Sequence, residues 1–259
     1  MALKKEIGVW LLWGAVLLAG CDSVPSDVVP QKQIESTTKQ VTTQPKQETD
    51  PTLNLLGSSE GEQVKLYDNK EAKNSPHKFT LEINGKTKDF DWYYLGDMGT
   101  DPQVFYTDLT GDGKEEAVVI IQTGRGTGLN NYEIHVVNAD DFSEIKVQSY
   151  EDIVANYIES HVAKNGDGTL AIAVKAQGQA YNFNYDFDPA PDYDQDELGF
   201  GGVTIYRLEN QKIQLNLSGS VGISPTYVCD FNVTYAYDHD NNEFIVDQIE
   251  VEPVENGKG

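Results

Sequence analysis

The chain has 259 residues and a formal net charge of -23, from 42 acidic and 19 basic side chains. Such a surface repels phosphate backbones and anionic head groups, which argues against nucleic acid as a partner and leaves membrane attachment to something other than charge. The acid excess suits divalent cations, and suits plain solubility equally well.

The first twenty residues have the order of a secretory signal. Lys4 and Lys5 form a basic start, residues 7–18 are apolar and broken only by glycine, and small residues lead into Cys21. At ~1.5 Å per residue the apolar run reaches ~18 Å, short of the ~30 Å hydrocarbon core. A cut signal therefore fits better than a retained span. The tetrapeptide Leu18, Ala19, Gly20, Cys21 resembles the lipobox of bacterial lipoproteins. That resemblance implies cleavage before Cys21 and a diacylglycerol on its sulfur, with acylation (palmitate among the acyl groups) of the new amino terminus. It places the protein on the outer face of the cytoplasmic membrane, or in the outer membrane or periplasm of a two-membrane cell. Residues 1–20 carry Lys4, Lys5 and Glu6, a net +1, so the chain that remains is -24. With Cys21 lipidated, Cys229 has no disulfide partner, and reads as a small buried strand residue.

Residues 21–60 are expected to be the lipidated cysteine and a disordered tether. The stretch is rich in Ser, Thr, Gln, Pro and Lys, and residues 22–57 contain no aromatic side chain, too little apolar content for a core. About 35 flexible residues span ~30–35 Å, enough to lift a domain off a bilayer. Long tethers of this kind resemble those of Gram-positive lipoproteins.

Residues 61–259 read as one mostly β domain. Short runs of aromatic and β-branched residues alternate with polar ones at 79–83, 116–121, 132–137, 170–174, 203–208, 212–217, 228–237 and 244–251. Turn residues separate them, as at Asn84-Gly85, Asp112-Gly113, 165–168 and 240–242. One short helix is predicted at 150–158 from apolar residues at Ile153, Val154, Tyr157 and Ile158. Helices do not alternate with strands, so the fold expected is an antiparallel sandwich or a partial propeller-like barrel.

The strongest internal motif is residues 108–116. Asp108, Thr110, Asp112 and Glu116 put oxygen side chains at loop positions one, three, five and nine, and Gly113 stands at position six. Calcium takes six to eight oxygens, and this spacing lets one loop supply most of them, with the Lys114 carbonyl at position seven. The pattern resembles the Asp-x-Asn-Gly-Asp-Gly-x-x-Asp loop of VCBS and FG-GAP repeats, the elements of integrin-type propellers, with a hydroxyl at position three and a longer acid at nine. By that resemblance Asp108, Thr110, Asp112, Lys114 and Glu116 would hold a structural calcium. Only one copy is evident, so the propeller does not carry over.

Residues 186–197 hold six acids, with two prolines. Asp188, Asp192, Asp194 and Asp196 are a candidate second cation or ligand site, though a solvated loop is the better reading of the stretch. The glycine-rich stretch 123–128 leads into a strand rather than a helix, so it reads as a hairpin loop and not a phosphate cradle. Arg125 within it is an isolated cation. The histidines His77, His135, His161 and His239 show no zinc spacing, and no serine elbow occurs. The cluster at 90–94 around Trp92 fits either a ligand face or strand packing. The function expected is a lipid-anchored, calcium-stabilised, non-enzymatic domain that binds a wall polymer or envelope protein. An envelope hydrolase and a cation-sensing lipoprotein are the alternatives.

Overall fold

Period-two alternation buries one face of a strand, and most of this chain follows it. The computed structural model describes residues 53–69, 79–187 and 192–255. In chain order the strands are β1 (Leu53–Ser58), β2 (Val64–Asn69), β3 (Phe79–Ile83), β4 (Lys86–Phe90), β5 (Gln103–Thr107), β6 (Glu116–Gly126), β7 (Leu129–Asn138), β8 (Glu144–Val147), β9 (Ile158–Lys164), β10 (Thr169–Ala176), β11 (Gln179–Asp186), β12 (Val203–Glu209), β13 (Lys212–Val221), β14 (Thr226–Asp238) and β15 (Glu243–Pro253). One helix, α1 (Tyr150–Tyr157), interrupts them. Ser149 caps it by accepting the Asp152 amide at 3.2 Å, and Ile153 is its buried residue. The fold is mostly β, as the alternation predicts.

Three sheets form. β1 to β4 make a meander, β9 to β11 a second, and eight strands run in the order β12-β13-β14-β15-β8-β7-β6-β5. An additional parallel pairing of β12 with β7, through Val203–Asn130 and Thr204–Asn131, closes six of those eight into a ring. A second short parallel ladder joins β8 to β15. β6 and β5 extend from the ring as a flap.

β6 explains its own sequence. Val118 and Ile120 point into the larger core with residues of the ring strands, α1, β9 and β10. Ala117, Val119 and Ile121 point the other way, into a smaller core under the β1–β4 sheet. A strand covered on both faces reads as a continuous apolar run, which is what residues 117–121 show. β1 lies inside the stretch expected as tether, so folded structure begins before residue 61. Its register of Leu53, Asn54 and Leu55 on β2 is broken by a bulge before Gly57. There a Cβ would stand 2.9 Å from the Pro102 carbonyl oxygen, so the chain needs glycine to pass.

A second close approach is in the larger core. A Cβ on Gly219 of β13 would lie 3.0 Å from Leu198 Cδ1 and 3.1 Å from Cys229 Sγ. Gly219→Val is expected to cost about 1–3 kcal/mol through overpacking, measured as a lower urea midpoint with an unchanged slope.

Candidate functional site

Residues 108–116 connect β5 to β6, so both ends of the loop are held by one antiparallel pair, Thr107 opposite Glu116. The loop folds around its own carboxylates. Asp108 accepts the Gly111 amide at 2.7 Å through one oxygen and the Gly113 amide at 2.9 Å through the other. Asp112 accepts the Lys114 amide at 2.8 Å. Gly111 and Gly113 sit at φ +77° and +85°, the left-handed region that a side chain would disfavour.

Glu116 is the inner end of the loop and is 2 % exposed. Its Oε2 accepts the amides of Leu109 at 2.9 Å and Thr110 at 3.3 Å. Burial pushes its carboxyl above the ordinary value, the two amides pull it back, and the charges of Asp112 and Asp108 push it up again. Thr110 is 8 % exposed, and its hydroxyl oxygen is buried with no hydrogen-bond partner. A buried hydroxyl without a partner is costly. A buried carboxylate and an unpartnered hydroxyl in one loop are two costs that a hard cation would relieve. The Lys114 side chain turns away, its ammonium 2.6 Å from Asp140.

A neighbour of this loop is not apparent from sequence alone. Burial raises the Tyr237 hydroxyl, with Glu116, Asp112 and Asp238 adding to it, so the β14–β15 turn shares the loop's field. Tyr237 donates to Asn242 at 2.6 Å.

The other candidates disperse. Asp192, Asp194 and Asp196 are exposed, and the Asp196 carbonyl accepts the Val162 amide at 2.7 Å, so part of the stretch is an edge on β9. Among the described residues no three His, Cys, Asp or Glu side chains stand at metal-holding geometry. Asp108, Asp112 and Glu116 of the 108–116 loop are therefore not gathered as a three-carboxylate site. Asp188, Cys21 and His77 lie outside the described residues. Residues 123–128 form the β6–β7 hairpin, and Arg125 donates to the Met98 carbonyl at 3.4 Å.

Trp92 is structural. It is 6 % exposed, stacks on Phe90 at 4.5 Å and on His135 at 4.1 Å, and donates to Glu144 at 2.6 Å. His135 Nδ1 lies 3.4 Å from the same carboxylate. These three residues join the segment after β4 to β7 and β8, a meeting that sequence separation conceals.

Cys229 is buried, and burial pushes its thiol up to about 12, so it should be inert at neutral pH. Maleimide is expected to label no thiol of the native full chain and one per chain in denaturant. Two in denaturant would mean that Cys21 carries no lipid.

Comparison with known protein families, with curated proteins and with solved structures returns no match.

Proposed function

We propose that the protein is a lipid-anchored extracytoplasmic binding domain in which a structural calcium holds the 108–116 loop. The observation that supports this most is that one turn-forming loop holds both the unpartnered Thr110 hydroxyl and the buried Glu116 carboxylate. Calcium there would bring order and charge balance to the end of β5 and β6, not chemistry, since the loop's acids are already committed to its backbone. The lipid at Cys21 would confine the domain to a membrane surface that its own charge repels. The test is calcium binding to the full chain by titration calorimetry, with phase partition in detergent. One ion per chain in the wild type and none in Asp112→Ala is the expected result, together with a shift of Cys21→Ser from the detergent phase to the aqueous one. Undiminished calcium binding by Asp112→Ala would remove the site, and an aqueous wild type would remove the anchor.

A further inference from the structure

A groove lies along the edge of β5 rather than in either core. β5 ends the eight-stranded sheet and pairs only with β6 among the described residues. Its outer row of backbone donors and acceptors is thus left without a ladder. The groove measures about 550 Å³. Its lining includes Glu60 of the β1–β2 turn, Val104 to Thr107 of β5, and Leu208 and Gln211 at the β12–β13 turn. Glu115, from the 108–116 loop, also lines it.

Two properties of the groove agree on one class of occupant. The unpaired strand edge offers hydrogen bonds that only another extended backbone can meet in series. Glu60 and Glu115 are the charged lining residues, both exposed and neither in an ion pair among the described residues, on a chain whose net charge is strongly negative. We infer that this groove docks an extended basic peptide segment of a partner protein, added as a further strand on β5 with its Lys or Arg side chains on Glu60 and Glu115. β5 has five residues, so a short segment would saturate the edge. The inference goes beyond the calcium reading and does not require it.

The test uses the full chain in detergent and a fluorescent heptapeptide of alternating valine and lysine, followed by anisotropy. Two further probes replace lysine by glutamate, or carry N-methyl groups on alternate amides to remove strand hydrogen bonds. Saturable binding of the lysine probe is expected. It should weaken by about tenfold or more in Glu60→Lys/Glu115→Lys and on N-methylation. The double variant Glu250→Lys/Glu252→Lys makes the same change in net charge on exposed positions of β15, and should bind the probe like the wild type. No binding overturns the proposal, as does equal binding by the two double variants or indifference to N-methylation. Each comparison is made with calcium and again with chelator, so failure of the calcium site and failure of the groove are read separately.

Discussion

Calcium at a hundred times its dissociation constant is expected to raise the unfolding free energy of the full chain by about 2.7 kcal/mol. For a domain of this size that corresponds to a rise in Tm of roughly 5–11 °C. The choice of variant matters. Asp108 accepts two backbone amides and shapes the loop by itself, so its removal would unfold the turn with or without an ion. Asp112 accepts only one, and Asp112→Ala should abolish most of the calcium response at small cost in chelator. Glu116→Gln sharpens the test by reversing sign with conditions. The amide oxygen can still accept from Leu109 and Thr110, while the charge that burial opposes is gone. In chelator the variant should be as stable as the wild type or more so, and in calcium clearly less.

The pH dependence follows from the same residue. A carboxyl raised on folding contributes its stability below its unfolded value, and loses it as pH rises through the folded one. Without cation, Glu116 therefore weighs against the fold above an ordinary value of 4.5. Calcium relieves that cost, so its stabilisation should grow with pH above this range and vanish below it. A calcium response that is flat with pH, or retained in full by Glu116→Gln, would mean the ion sits elsewhere.

The second large effect is expected at Trp92, the only tryptophan beyond the first twenty residues. Trp92→Ala removes a buried ring stacked on both Phe90 and His135, and should cost about 3–5 kcal/mol. Trp92→Phe keeps most of the stack and loses the donor to Glu144. It should cost only about 1 kcal/mol, since that carboxylate remains half open to water. The contact of His135 holds the Glu144 carboxyl below its ordinary 4.5, against burial, with the Trp92 donor helping. A lowered carboxyl contributes stability above its unfolded value and loses it as pH falls through the folded one. Stability should thus drop below about pH 4.5 in the wild type and less steeply in Glu144→Gln. Trp92 emission should shift red in the same window, because its ring seals the smaller core. Parallel acid curves for the two proteins would remove Glu144 from this account.

Much of the architecture was legible before the fold, and each success has a local cause. Residues 212–217 and 228–237 alternate because one face of β13 and β14 is buried. Residues 117–121 do not alternate because both faces of β6 are. Asn84 and Gly85 do adopt positive φ, and α1 carries its cap. What was missed lacked a local signature. β1 is half exposed and glycine-bulged, so it resembles a linker in composition. β5 and β11 are partly covered edges with weak patterns. The two parallel ladders rest on two residue pairs each, too few to leave a period.

The sequence by itself determined a mostly β domain with one short helix, and it raised the expectations of a lipobox-like start and of a calcium loop, because each reading depends on residues adjacent in the chain. Only the tertiary structure decided that Glu116 is buried and the Thr110 hydroxyl unpartnered, that Trp92 meets His135 and Glu144, and that among the described residues β5 pairs on one side only, with Glu60 and Glu115 near its edge. Those are matters of desolvation and of which distant strands pair, and no window of neighbouring residues contains them.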